Sequence, residues 1–558
     1  MIPSAFQNPR LVLGAVAMLV ALIVQPGEPG SIDTTRRLQV THSLWTSAPQ
    51  VIPSDFPTFG IVGRDGRLYA WYGIGQSLLM LPPDILFTAL IKTVPALHAR
   101  DDLRGVLVSF TISPLICTLA VLACFRLLTG FGFTPRQSVA GSLALLFGTT
   151  FLHYTQNMME NNLLLLLMLL GLSLHYQWVR TGSRSALAAG SIASGAAILV
   201  RMTVALDIAA IAGFVAGALW LSGLKGKPLL AKLTEYVRIC TPTYLVFLLA
   251  DRAYHFYRFG QCCTNYIQLY GQQQRLLNPS LPANYPYTTP FWNGFLGAFV
   301  TPEKSVFLFD PLLIVAAAIA FALWKQLAPE IRSYLLSMFV LLLAGAAFHA
   351  RLSFWSGDVA WGDRYLTTSV QMMALLAIPL LLRHAADLSR TFRRTAATIA
   401  SASVVIQVAS ILMPAWTEYR QMITLGHPTF VIALRFLNVI RLMAEKMRAV
   451  TLSSSIGPPP PSAQSLYLYP FLMMHRLTHL PSWAPPALVA VWLVLIILMA
   501  VLLWRLSALL GSEQRDTETM PCQVVKNPDP SGELAATAGA PSQRASQRSP
   551  SFQNRARV

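Results

Sequence analysis

Residues 105–128 read GVLVSFTISPLICTLAVLACFRLL, an apolar run broken by one charge, Arg126. About 20 such residues wound as a helix cross the hydrocarbon core of a bilayer, where no water is available to satisfy backbone groups. This stretch therefore reads as a membrane span. Working outward from it, comparable runs occur near 11–25, 138–152, 162–178, 185–200, 203–222, 239–254, 308–324, 333–349, 366–382, 396–414 and 486–505. Several are short. The first has an alternative reading as a signal peptide, because Arg10 precedes it, although no A-x-A cleavage site follows Val24. The join at Arg201 also allows one long helix in place of two short ones.

Composition agrees with this parse. The 558 residues are 54% hydrophobic and 12% charged, with a mean hydropathy of +0.52. Soluble domains carry about 25% charged residues, too many more for this chain to be one of them. The fold expected is an all-α polytopic membrane protein of about 12 transmembrane helices with a large first outer loop.

The chain is basic, +18 formally, but the cations lie between apolar runs. They report orientation, not nucleic acid. With the N-terminus inside, the short inner loops hold Arg136, Arg180, Arg184, Lys225, Lys227, Arg332 and Arg390, whereas short outer connections hold Arg201, Arg351 and Arg364. An even number of spans places both termini in the cytoplasm. Three longer segments, 26–104, 255–307 and 415–485, then face outward. The first contains PPDILFTALIKTV, read as an interfacial helix, and the third a polyproline spacer at 457–461. Residues 507–558, rich in Ser, Pro, Gln, Ala and Arg, read as a disordered cytoplasmic tail. The six cysteines form no disulfide or metal pattern.

Polar residues concentrate in the outward segments. No P-loop, GxGxxG, H-E-x-x-H or G-x-S-x-G occurs, so ATP-driven transport and zinc proteolysis lack their signatures. Asp33, in SIDTTRRLQVTHSLW, lies shortly after the first run, where a carboxylate can serve as a general base or remain an ordinary loop side chain. GRDGRLYAWYGIGQSLLMLPP, residues 63–83, offers Asp65, Arg67, Tyr69, Tyr72 and Gly75 as a turn-rich aromatic substrate loop or as an interfacial belt. FWSGDVAWGDRYL, residues 354–366, carries Trp361, Gly362, Arg364 and Tyr365. Arg364 there can clamp a lipid phosphate or pair with Asp363. Arg201 interrupts an apolar run, which marks a functional candidate or a partner for Asp207. Glu160 with His153 forms a weak candidate pair for a divalent metal ion.

Taken in order, G-x-D-G-x-x-Y-x-x-Y-x-x-G-x-S-L-L-x-x-P, GAFVTPEKSVFLFDPLL (297–313) and FWSGDVAWGDRYL resemble bacterial membrane glycosyltransferases of the GT-C superfamily. The similar branch is the protein O-mannosyltransferase-like and aminoarabinose-transferase-like one, of glycosyltransferase family 39 type. The resemblance spans roughly 10–385. It implies a catalytic transmembrane core over 1–385, with 386–506 as additional C-terminal transmembrane helices bearing the outward loop 415–485. It also implies an inverting transfer of a sugar from a polyprenyl-phosphate donor to a lipid, glycan or protein acceptor, at the exterior face of the cytoplasmic membrane. Asp33 matches the base, and Arg364, with Arg201 or Arg67, the residues that hold the donor phosphate. The chain departs from the pattern at Asp358, where Gly is commoner, and at Asp363, where Pro is common. The competing class is a transporter or flippase of a lipid-linked or polar solute.

Overall fold

The computed structural model describes residues 8–51, 59–94, 103–446, 465–471 and 483–519. It is about 74% helical, and the sheet among these residues is one two-stranded hairpin, Ile61–Val62 against Leu68–Tyr69. The opening stretch lies inside a 28-residue helix, Leu103–Gly130. Packed around it are the helices Pro9–Ile23, Pro135–Gly148 and Glu160–Thr181. Glu160–Thr181 in turn packs on Arg184–Ala196, and Pro329–His349 on Ala205–Leu221. Their facing side chains, among them Leu13, Val16, Val121, Leu145, Leu169 and Phe214, form one continuous apolar core.

Helix starts follow local chemistry. Ser31, Thr134, Asn265 and Ser389 each accept a backbone N–H of the first turn, and Thr134 with Gln137 closes a capping box.

Among the described residues, six helices are long and apolar enough to cross a membrane: those in Leu103–Gly130, Glu160–Thr181, Met202–Leu221, Pro329–His349, Arg390–Ile411 and Ala484–Gly511. The count of twelve is not reached by that measure. Several other apolar runs fold as shorter helices, such as the 12-residue Leu312–Leu323. At 1.5 Å per residue, a helix of that length covers only about 18 Å of a core about 30 Å thick. The surface still shows what surrounds it: Val246, Leu249, Phe321, Val501 and Trp504 stand exposed. Apolar side chains in that number suit lipid and not water, as befits an integral multi-pass membrane protein.

At Arg201 two helices form, not one. The chain leaves Arg184–Ala196 through a 3-10 turn, Ala197–Leu199, extends at Arg201, and re-enters helix at Ala205. The stretch expected as an interfacial helix, 82–94, is the second half of a packed helix, Gly75–Thr93. Its Asp84 is fully buried and accepts from His42 and Trp45, 2.9 and 2.8 Å, with Arg104 completing an ion pair. The tail also differs from expectation, because helix Ala484–Thr519 passes residue 507. The rest of the tail and the polyproline stretch 457–461 lie outside the described residues.

Candidate active site

Four separated segments converge. The first is the helix Ile32–Ser43, which places Asp33 in its first turn and Arg37 one turn later. The second is the bend between the helices Phe151–Asn157 and Glu160–Thr181. Met158 there takes a left-handed φ of 48°, and Glu160 becomes the first residue of the second helix. Thr34 Oγ1 and Gln76 Nε2 donate to the carbonyls of Asn157 and Met158 at 2.7 and 2.8 Å, which ties the first segment and the start of the helix Gly75–Thr93 to this bend. The third segment is the extended break at Arg201. Gly75 lets the Gly75–Thr93 helix start directly against it, because a Cβ there would lie within 3 Å of Leu199 and Val200 backbone atoms. The fourth is the loop 354–366, whose Arg364 carbonyl accepts from Asn161 Nδ2 at 2.6 Å.

The side chains they deliver form a linked charge cluster. Arg364 Nη1 donates to Asp33 Oδ2 at 2.5 Å, and the Tyr72 hydroxyl donates to Asp33 Oδ1 at 2.6 Å. Glu160 is shared by Arg201, at 2.5 Å, and Arg37. Arg37 also lies over the Tyr72 ring, 4.0 Å from its centroid, so the two carboxylates are bridged through Tyr72. Burial above all, then the Asp33 carboxylate, pushes the Tyr72 phenol well up, and it stays a hydrogen-bond donor at ordinary pH. Tyr365 stacks on His349, 4.3 Å and 2° between rings, and stands 5.7 Å from Arg201. Arg201 and Tyr365 also line a small cavity of about 30 Å³. Leu164, Val204 and Leu341 line it together with the polar Asp207, His349 and Thr368. Two guanidinium nitrogens of the cluster, Arg37 Nη1 and Arg364 Nε, are buried without a hydrogen-bond partner. Such donors are costly to leave empty, and an arriving anion can fill them.

Of the residues marked from sequence, Asp33, Tyr72, Glu160, Arg201, Arg364 and Tyr365 meet here. Arg364 does not pair with its neighbour Asp363, whose Oδ1 instead accepts from the Tyr365 N–H at 3.0 Å. Nor does Arg201 pair with Asp207. Arg67 stays outside the cluster, 84% exposed and 3.7 Å from Asp65, which also accepts from the Tyr69 hydroxyl at 2.9 Å. These three residues shape the hairpin turn.

Trp361 is buried, edge-on to Phe309 at 4.9 Å and beneath the Arg435 guanidinium at 4.8 Å, so its ring supports the loop. Gly362 sits at φ 69° against Phe309. Asp358, where the resemblance favours glycine, has φ 53°, a left-handed conformation that Asp tolerates better than most side chains.

His153 and Glu160 do not form a ligand pair. His153 Nδ1 faces the Ser410 carbonyl and its Nε2 the Asn157 amide, while both Glu160 oxygens are committed to arginines. Among the described residues, no group of three or more His, Cys, Asp or Glu is placed to hold a metal ion. This donor set does not fit a divalent ion.

Sequence reading missed Arg37, Lys304 and the Glu418–Arg435 pair. Arg37 was signalled by its spacing of four from Asp33, which puts both on one helical face. Lys304, beside Glu303 in sequence, is not a solvated loop charge. Instead its buried ammonium donates to the carbonyls of Asp358 and Ala360, both at 2.6 Å, and of Gly362 at 3.3 Å. It thereby pins the loop that carries Arg364. Glu418 and Arg435 pair twice, at 2.8 and 2.5 Å, with Arg435 fully buried under the same loop.

Burial, foremost, pushes the Lys304 ammonium down to about 8 from an ordinary 10.5, against the opposing pull of Asp363 and Asp358. A neutral amine lacks the third donor and the charge. Activity that depends on this loop should therefore fall as pH rises through about 8, and Lys304→Met should be slow at every pH. A misplacement near 1 Å costs roughly 10²-fold in rate, and that is the loss expected. Stability runs the other way. The folded state binds fewer protons at Lys304 than the unfolded state between about pH 8 and 10.5, so this group's contribution rises with pH across that window. pH–rate profiles and thermal unfolding of wild type and Lys304→Met check both statements.

No protein-family model matches the chain, and no curated protein matches it. Solved structures similar to it include ArnT from Cupriavidus metallidurans bound to undecaprenyl phosphate. That pair is 15% identical over 89% of this chain and 73% of that one, with a TM-score of 0.41. The Archaeoglobus fulgidus oligosaccharyltransferase in complex with Zn and sulfate is 13% identical over 82% and 59%, with a TM-score of 0.39. This chain thus spans under two thirds of the second protein's length. Both neighbours are GT-C glycosyltransferases.

Proposed function

We propose that the chain is a membrane glycosyltransferase of the GT-C type. It would transfer a sugar from a polyprenyl-phosphate donor to an acceptor hydroxyl at the exterior face of the cytoplasmic membrane, with inversion. The observation that carries this reading is the cluster itself. Three guanidiniums, Arg37, Arg201 and Arg364, meet two carboxylates, Asp33 and Glu160. The surplus positive charge and the two unpartnered guanidinium nitrogens suit a phosphate. Arg201 and Arg364 hold that phosphate in this reading, with Arg37 in the place first given to Arg67.

The chemistry follows from these positions. Asp33 takes the proton of the acceptor hydroxyl. The acceptor oxygen bonds to the anomeric carbon from the face opposite the phosphate. The bond from that carbon to the phosphate oxygen breaks, and its electron pair leaves on polyprenyl phosphate. Guanidiniums aimed at those oxygens stabilise the charge that grows there. Before donor arrives, Arg364 is latched to Asp33. A donor phosphate competes for the same guanidinium and so releases the carboxylate to act as base. Tyr72 keeps a hydrogen bond to the other Asp33 oxygen and fixes its orientation.

The test uses purified protein in lipid nanodiscs, a polyprenyl-phosphate donor labelled in the sugar, and a mixture of outer-face acceptors. Release of polyprenyl phosphate with label on an acceptor is the expected result. If sealed vesicles carry the intact lipid-linked sugar across the membrane and break no glycosidic bond, the protein is a flippase and this reading fails.

A further inference from the structure

The acceptor must bring its hydroxyl to Asp33, and the surroundings of that carboxylate say what kind of molecule can do so. On one side lies Arg364, which takes the donor phosphate in the reading above. On the other, Tyr72 bonds Asp33, and its neighbour Trp71 begins a row of half-buried aromatic rings. Trp71 meets Tyr270 edge-on at 5.5 Å, and Tyr270 meets Tyr285 at 6.3 Å. Phe59 backs Trp71 at 4.2 Å.

Tyr270 comes from the helix Tyr266–Leu277, in the outer segment that showed no motif in the sequence. Residues 266, 270, 273 and 274 share one face of it by helical spacing. Gln273 spends both ends of its amide on the hairpin, accepting from Val62 N–H at 2.8 Å and donating to the Gly60 carbonyl at 2.9 Å. That fixes the helix over Trp71. Gly271 lets it close on the 285–286 backbone, since a Cβ there would come within 2.7 Å of Tyr285 and Pro286 atoms. Gln274 Nε2, beside this row in sequence and on the same face, is buried with no partner.

We infer that the acceptor is a saccharide, laid along Trp71, Tyr270 and Tyr285 with one hydroxyl at Asp33. This deepens the glycosyltransferase reading and rests on it. Flat rings with polar edges suit the alternating C–H faces and hydroxyls of a sugar. An unpartnered amide supplies a donor of the kind a hydroxyl accepts. The hydroxyl and indole edges of the three rings do not make the apolar wall that a lipid acceptor would require.

Nanodisc-embedded wild type is given the labelled donor with, in turn, a tagged oligosaccharide, a Ser/Thr peptide and a neutral glycolipid-free lipid alcohol. Transfer to the oligosaccharide is expected. Trp71→Ala and Tyr270→Ala should each raise its KM roughly tenfold more than they lower kcat, because each removes a stacking surface. Trp71→Phe and Tyr270→Phe, which keep a ring, should restore most of that KM. Transfer only to the peptide or only to the lipid alcohol overturns the inference and leaves the glycosyltransferase reading standing. An oligosaccharide KM unmoved by either alanine variant overturns it too. If wild type neither transfers nor hydrolyses the donor, both readings fall.

Discussion

Asp33→Asn protein should fold, bind the lipid donor and lose transfer by about 10²–10⁴-fold, the range a positioned general base contributes. The substitution keeps the size of the side chain and its hydrogen bond from Tyr72, seen at 2.6 Å. It removes the acceptor of the hydroxyl proton and the partner of Arg364, seen at 2.5 Å. The second loss gives the prediction a sign that a purely structural role would not have. With Arg364 no longer latched, donor phosphate meets no competitor, so donor affinity should hold or rise while kcat collapses. Single-turnover transfer and equilibrium donor binding separate the two. Full transfer activity in Asp33→Asn would remove Asp33 as the base.

Glu160→Gln should show the largest effect on stability. The Glu160 side chain is 6% exposed and serves Arg37, 2% exposed, and Arg201, 15% exposed. Taking one partner from a buried ion pair costs about 3–5 kcal/mol, because the remaining charge stays out of water without compensation. Here two guanidiniums are stranded by one substitution. The expected result is a marked drop in thermal midpoint in detergent, with donor phosphate or inorganic phosphate restoring part of it by binding the freed arginines. Glu160→Gln with an unchanged midpoint would mean that Arg37 and Arg201 find other counter-charges. A double variant, Glu160→Gln with Arg37→Met, should recover stability relative to the single one, since it removes a stranded charge together with its partner.

The two experiments bear on different halves of the cluster. Asp33 and Arg364 are each about one fifth exposed, 20% and 19%, and can exchange partners when substrate enters. Glu160 with Arg37 and Arg201 is the more deeply buried half and sets the shape of the site. Lys304 and the Glu418–Arg435 pair extend that support outward, from residues 301–305 and the helices Trp416–Leu425 and Val431–Lys446. The arginine loop is thus braced from two sides of the chain: by Lys304 of the 297–313 segment and by the Glu418–Arg435 pair, from a stretch that resembles no known motif.

What the sequence alone determined is what depends on short stretches of chain. Apolar runs became helices, because hydropathy and backbone satisfaction in lipid act over about 20 neighbouring residues. Asp33, Glu160, Arg201 and Arg364 stood out for the same reason, being ionisable groups beside apolar runs, where a charge is expensive without a purpose. What only the tertiary structure decided is who pairs with whom. Arg364 passes over the adjacent Asp363 for Asp33, 331 positions away, and Arg201 passes over Asp207 for Glu160. Arg67, a second choice alongside Arg201 by motif, faces solvent. Charge attraction acts through space and is strongest where water is excluded, so the partner is set by which backbones the packing of helices brings together. The 12% of charged residues stood out against the apolar runs beside them in sequence, but the site emerged only where four distant segments closed on one another.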